Sequence, residues 1–131
     1  MIYASGGFTV SNNIQLCGWN TRTGATAKVG NTCDFDLWTP NTSMLMLVLH
    51  KSSAGSVSFS QSGMFQGAIY SPGEVSTANS VEIHGPMLVN SMTIGNSVKL
   101  RPIPYITDLP IGAPGNPNSN STVDGVTFTG G

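Results

Sequence analysis

Few residues in this sequence have side chains that could carry out chemistry. The chain of 131 residues contains two cysteines, two histidines and six aspartates or glutamates. It has no Walker-type phosphate loop, no Gly-x-Ser-x-Gly nucleophile turn and no His-Glu-x-x-His zinc motif. The cysteines and histidines also lack the four-ligand spacing of a structural zinc site. We therefore expect no catalytic residue, no metal site and no cofactor.

The closest pair of carboxylates is Asp34 and Asp36, on either side of Phe35. On a strand, alternate residues share a face, and two carboxylates there could act as an acid–base pair or bind a cation. The favoured interpretation is structural. It places both carboxylates on a solvated face and turns Phe35 and Leu37 inward.

The two cysteines, Cys17 and Cys33, are candidates for a disulfide. Such a bond indicates an oxidising, extracytoplasmic compartment. The alternative is a pair of free, buried thiols. The spacing of the two cysteines is close to the repeat length described below, and neighbouring repeats bring Cα atoms within the range that a disulfide needs.

Composition excludes several classes of protein. Ser, Thr, Asn and Gly make up 56 of the 131 residues, whereas charged residues make up 8% and the net charge is −1. Nucleic-acid binding and membrane-surface binding are excluded because both need a basic cluster. The longest apolar run, residues 44–49, is too short to span a membrane. No signal peptide follows Met1, which suggests a mature or excised segment of a longer protein.

An internal repeat organises the chain. Four nine-residue segments align, at residues 8–16, 57–65, 75–83 and 92–100. Their first and ninth positions are apolar, and their second is Ser or Thr. The fifth position is an amide in every segment: Asn12, Gln61, Asn79 and Asn96. This pattern predicts strand, corner, strand, because Asn tolerates the left-handed backbone region that a corner requires.

A six-residue period of apolar residues runs beneath this repeat. It includes the residues predicted to lie in the interior: Val57, Ile69, Val75, Val81, Met87, Met92 and Val98. Three such faces make a coil of about 17–18 residues, and coils this short must stack to bury an apolar face. The sequence therefore predicts an all-β, single-domain β-solenoid (β-helix) with an amide ladder at its corners. A β-sandwich is the alternative, but it gives no reason for the recurring amide.

The repeat also assigns positions to charged residues. Glu82 and Lys99 occupy the eighth position in coils expected to be adjacent, so we expect an exposed ion pair. His84 shares its position with Gln66 and Arg101, which indicates a polar, outward site. Hexapeptide-repeat acyltransferases have a catalytic histidine on a coil of similar length, but their hexads and cofactor-binding loop are absent here.

The spacing defines the expected domain limits. The first two segments start at Phe8 and Val57, a separation that is not a multiple of the repeat and predicts an insert at about residues 18–43. The solenoid domain then covers residues 1–109. Residues 110–131 are rich in Pro, Gly, Asn and Ser, which is typical of an extended tail.

Residues 65–73, with the sequence FQGAIYSPG, are followed by two further repeat segments at 75–85 and 88–100. This stretch resembles the C-terminal β-solenoid of bacterial PilX-type pilus-assembly proteins, and the resemblance covers residues 57–105 and, more weakly, 2–18. It implies an extracytoplasmic structural part of a longer protein. It carries over no active-site residue.

These observations favour a non-enzymatic, cell-surface structural module of a type IV pilus-like assembly. Its expected partners are other protein subunits, including further copies of itself, and neither nucleic acid nor a membrane. The alternative is an extracellular adhesin that binds glycans or a solid surface. Its aromatic residues could form a sugar-binding platform, although burial or capping of the coils is the favoured interpretation for them; they are Trp19, Trp38, Tyr3, Tyr70 and Tyr105.

Overall fold

The fold is known from a computed structural model that describes residues 1–40, 44–49 and 56–103. Within these ranges the chain forms strands and no helix, which confirms the expected all-β class. No helix long and apolar enough to cross a membrane occurs in this part of the chain. The predicted tail at 110–131 lies outside the described residues, as do residues 41–43 of the predicted insert.

Fourteen short or medium strands follow one another in the described residues. They are β1 (Ile2–Ala4), β2 (Phe8–Val10), β3 (Gln15–Leu16), β4 (Trp19–Asn20), β5 (Ala25–Thr26), β6 (Lys28–Val29), β7 (Thr32–Cys33), β8 (Met46–Leu49), β9 (Val57–Phe59), β10 (Met64–Gln66), β11 (Ala68–Thr77), β12 (Glu82–His84), β13 (Met87–Ile94) and β14 (Lys99–Arg101). Alternating apolar residues and β-branched side chains favour strands in most of them.

Parallel pairing arranges most of these strands in three faces. The first face joins β1, β8, and the beginnings of β11 and β13; the second joins β2, β9, and the ends of β11 and β13. The third face is a separate sheet in the order β14, β12, β10, β3. The only antiparallel pairs in the described residues are β4 with β5 and β6 with β7.

The parallel strands of the described chain form four stacked layers, and each layer contributes one strand segment to each face. We number the layers by their strands: layer one is β1 to β3, layer two β8 to β10, layer three β11 and β12, and layer four β13 and β14. Val57 pairs with Val75, and Val75 pairs with Met92. These three residues are the first positions of three of the aligned segments. Residues at equivalent positions of the sequence repeat are therefore paired with each other in the sheets.

The chain turns from the first face to the second inside β11. The register shifts between Ser71 and Glu74, where Pro72 and Gly73 interrupt the ladder. Proline has no N–H to donate, and sheets tolerate it at such irregular positions. A single ten-residue strand can therefore contribute to two faces.

At the corner between the second and third faces, the structure corrects one detail of the sequence analysis. Asn12, Gln61, Asn79 and Asn96 are exposed and stack as expected, but the left-handed residue is the one after each of them: Asn13, Ser62, Ser80 and Ser97, with φ between 56° and 59°. Main-chain bonds link the corners, such as Ser62 N to Asn79 O at 3.1 Å. Among the described contacts, two side-chain amides also reach these corners: Asn79 Oδ1 accepts from Asn96 N, and Gln15 Nε2 donates to Ser62 O. Backbone groups therefore contribute most of the contacts between corners.

The core lies between the three faces. Val57, Ile69, Val75 and Val81 are at most 2% exposed and belong to one apolar cluster with Phe59 and Phe65, among others. Met87, Met92 and Val98 belong to layer four; they pack against this cluster and are only half-buried. The layer at the end of the stack thus leaves its inward side chains partly open.

The chain departs from the regular layers between β3 and β8, close to the predicted insert. This segment contains the two small antiparallel pairs, β4 with β5 and β6 with β7. The sequence also has four additional residues between β8 and β9, which the repeat did not predict. Val48 pairs with Tyr70 and Val57 with Val75, and the two positions are nine residues apart in layer two but five apart in layer three. The irregular gap in the repeat therefore combines two insertions.

Candidate functional site

Several of the cysteine, histidine and charged residues discussed above lie together on the outer side of the third face. Cys17, Gln66, His84 and Arg101 occupy equivalent positions in successive layers, with Gln66 paired to His84 and His84 to Arg101. Residues 33–38 of the insert lie along this row. We call the row and the residues that cover it the docking column.

One covalent bond and one hydrogen bond fix the first part of the docking column. Cys17 and Cys33 form a disulfide, with their Cα atoms 5.1 Å apart. The next residue of the insert, Asp34, accepts a hydrogen bond through its backbone oxygen from Gln66 Nε2 at 3.0 Å. The insert is therefore attached to layers one and two side by side.

Aromatic contacts fix the other part. The Phe35 ring meets the His84 ring edge to face, with centroids 4.9 Å apart, and the Arg101 guanidinium lies 5.3 Å from the Phe35 centroid. Trp38 stacks beside His84 at 6.5 Å. A cation near an aromatic face and an edge-to-face pair are both favourable arrangements. Phe35 thus spans layers three and four.

The Gln66 side chain determines the protonation of His84. Gln66 Oε1 accepts from Gly18 N at 2.8 Å, so Nε2 must be the donor to both Asp34 O and His84 Nδ1, the latter at 3.1 Å. His84 Nδ1 is then an acceptor without a proton. His84 Nε2 carries the proton and donates it to Glu82 Oε1 at 2.9 Å. The imidazole is neutral in this arrangement.

Glu82 forms ion pairs with two cationic side chains at the docking column. Arg101 Nε donates to Oε1 at 3.0 Å and Lys99 Nζ to Oε2 at 3.4 Å. Burial alone would raise the pKa of Glu82, but the hydrogen bond from His84 and the neighbouring charges outweigh it and hold that pKa below the ordinary 4.5. The expected pair of Glu82 with Lys99 is present, and Arg101 joins it.

A column of glycines adjoins these residues where the third face ends. A Cβ at Gly85, whose φ is 132°, would lie 1.9 Å from Gly67 O. A Cβ at Gly18 would lie 2.2 Å from the Trp38 indole nitrogen. Glycine is therefore required for the layers to stack closely and for the Trp38 ring of the insert to pack against Gly18.

The contacts of His84 hold the docking column together. His84 is 1% exposed, both of its ring nitrogens already have partners, and neither a serine hydroxyl nor a thiol faces it among the described contacts. No group of three or more His, Cys, Asp or Glu that could bind a metal occurs in residues 1–40, 44–49 and 56–103. Its geometry attaches the insert to the stacked layers.

One interpretation made from the sequence is incomplete here and another is wrong. His84 does point outward from its strand, but the insert covers it, so it is buried. The Asp34 segment is a turn, not a strand: Asp34 Oδ1 accepts from Asp36 N and Leu37 N, and Leu37 is 38% exposed. A carboxylate that caps its own turn competes with an extended strand.

Sequence reasoning did not predict the roles of Gln66, Phe35 and Trp38. The repeat itself contained a signal for these roles. Cys17, Gln66 and His84 occupy one repeat position, which points away from the core and would be exposed without a cover. A cysteine and two side chains suited to buried hydrogen bonds are unusual at an exposed position. The aromatic residues two and five positions after Cys33 are the natural cover for it. A search of protein-family models, of curated proteins and of solved structures found no match to this chain.

Proposed function

We propose that the four layers form a β-solenoid and that the chain is a non-enzymatic structural module of a cell surface, acting through contacts with other protein subunits. Support for the solenoid comes from the parallel register, which advances by one sequence repeat from layer two to layer three on the second and third faces and from layer three to layer four on all three faces. Successive coils of a solenoid contact only their neighbours, so a further copy could continue the stack.

The two ends of the stack carry this proposal. The inward apolar residues that are half-buried are Ile2, Ala4, Phe8 and Leu16 in layer one, and Met87, Val89, Met92 and Val98 in layer four. Their counterparts in the middle layers, such as Val57 and Val75, are fully buried. Within the described residues, both ends of the stack therefore leave inward-facing apolar side chains partly exposed.

The ends also favour one direction of contact. Within the described residues, β2 and β3 pair on one side only, as do β13 and β14. If layer four of one copy meets layer one of the next, the strands stay parallel and the apolar columns continue. Such a head-to-tail contact does not close on itself, so it generates a linear assembly.

Charge and compartment agree with this function. With 8% charged residues, the chain offers little electrostatic repulsion between copies. The Cys17–Cys33 disulfide is compatible with an extracellular location. The resemblance of residues 57–105 to PilX-type pilus-assembly proteins leads us to propose a pilus-like assembly as the setting.

Sedimentation velocity of the full chain over a range of concentrations tests the proposal. We expect wild type to form larger species as concentration rises and Met92→Asp to remain monomeric, because a carboxylate would lie in the apolar contact. Asn90→Asp adds the same charge at an exposed position of β13 and should assemble like wild type. A wild-type chain that stays monomeric throughout contradicts the proposal.

A further inference from the structure

A pocket of about 450 Å³ lies beside the disulfide, where the insert leaves the third face. Its lining includes two tryptophans, three threonines and a methionine: Trp19, Trp38, Thr21, Thr26, Thr39 and Met44. This volume is within the range of small-ligand sites, which run from roughly 300 to 1,000 Å³. The pocket is large enough for one or two sugar rings.

The chemistry of the pocket is aromatic and uncharged. Trp19 is 54% exposed, whereas Trp38 is 6% exposed and fixed beside His84. None of the residues that line the pocket carries a charge. The threonine hydroxyls can donate and accept hydrogen bonds, while an indole presents a flat apolar face. This combination suits a neutral ligand that has both an apolar face and hydroxyl groups.

The backbone around Trp19 is held in place before any ligand arrives. Trp19 pairs with Thr26, and its carbonyl oxygen accepts from Thr39 N at 3.1 Å. The buried Asn20 side chain accepts from Arg22 N and Thr23 N at 2.9 and 3.1 Å. A binding surface that is already ordered loses less entropy on binding.

We propose that this pocket binds a neutral saccharide, with one face of a pyranose ring stacked on Trp19 and its hydroxyls near the threonines. The C–H groups of a pyranose form the apolar face that the indole requires, and the uncharged lining disfavours acidic sugars. None of the half-buried apolar residues named above at the two ends lines this pocket, so the binding test is independent of the assembly test.

Titration with oligosaccharides tests the proposal by calorimetry and by tryptophan fluorescence. The neutral probes are cellohexaose, mannohexaose and chitohexaose, and the charged probes are polygalacturonate and heparin. We expect at least one neutral probe to bind saturably and to shift the emission of Trp19, one of only two tryptophans in the chain.

Three variants identify the site. Trp19→Ala should weaken binding by about tenfold, the upper range for one aromatic contact. Trp19→Phe keeps a ring and should retain most of the affinity, which separates loss of stacking from loss of fold. Tyr3→Ala removes another exposed aromatic residue outside the pocket lining and should bind like wild type. The proposal is wrong if no neutral probe binds, if only charged probes bind, or if Trp19→Ala binds like wild type.

Discussion

The position of one proton links three side chains of the docking column. Because Gln66 is oriented by Gly18 N, it can only donate to His84 Nδ1, and the imidazole must be neutral. Protonation of His84 Nδ1 would place its N–H opposite the N–H of Gln66 Nε2, so neither group could accept a hydrogen bond from the other. Burial lowers the pKa of His84 below its ordinary 6.5, although the hydrogen bond and charge of Glu82 act in the opposite direction and the charges of Arg101 and Lys99 reinforce burial.

This arrangement predicts a loss of stability on mild acidification. As pH falls through 6.5 the unfolded chain binds a proton at His84 while the folded chain, whose His84 pKa is lower, binds less, so the free energy of unfolding falls from pH 6.5 down to the lowered pKa of the folded state. Glu82 contributes in a lower range, since its stabilising effect is present above 4.5 and is lost as pH falls through its lowered pKa.

Urea midpoints measured across this pH range provide the test. His84→Gln should be less stable than wild type near neutral pH and should show a flatter dependence on pH. Parallel slopes for wild type and His84→Gln would show that His84 is not held neutral by the docking column.

At the scale of elements, the insert and the layers stabilise each other. The disulfide closes a loop between residues 16 positions apart, and Phe35 and Trp38 extend the contact toward layer four. The insert in turn covers Gln66 and His84, both at most 1% exposed. Without this cover, two buried polar side chains would lose their partners or become solvated.

Removing the disulfide should therefore destabilise the whole chain. A closed loop of this length contributes about 3 kcal/mol in the chain-entropy description. We expect Cys17→Ser/Cys33→Ser to lower the free energy of unfolding by about 2–4 kcal/mol, measured by urea denaturation. Thiol titration of unreduced, denatured wild type should detect no free cysteine. Two free thiols, or unchanged stability of the double variant, would contradict this role.

The sequence predicts the layers better than it predicts what covers them. Period and composition identified Val57, Val75 and Val81 as interior, because stacking forces equivalent residues into one column. The path of the insert depends on contacts distant in sequence, such as Asp34 with Gln66, and periodicity contains no information about them. The same limit explains why Leu37 was expected to point inward.

The corner shows a second limit. The recurring amide at Asn12, Asn79 and Asn96 drew attention to the correct turn, but the positive φ belongs to the following residue. Serine occupies that position in three layers, although it is less favoured there than glycine or asparagine. Hydrogen bonds between the stacked backbones hold the conformation in a way that no local preference indicates.

At the scale of the whole molecule, the two ends of the stack leave the same column of apolar residues partly exposed. Layer one presents Phe8 and layer four presents Met92 at the same position of the layer, since both belong to the column that contains Val57 and Val75. A copy added at either end would extend this column. Head-to-tail contact needs one end of each type, whereas a symmetric contact needs two ends of the same type.

Mixing two end-blocked variants distinguishes these arrangements and is the decisive test of head-to-tail assembly. Phe8→Asp blocks the layer-one end and Met92→Asp blocks the layer-four end. Circular dichroism checks that each variant is folded. If Phe8→Asp is unfolded, Ile2→Asp is used in its place to block layer one. By sedimentation velocity, we predict that each variant alone is monomeric and that an equimolar mixture forms dimers and nothing larger. A mixture that remains monomeric, or a single variant that dimerises on its own, would contradict head-to-tail stacking of the ends.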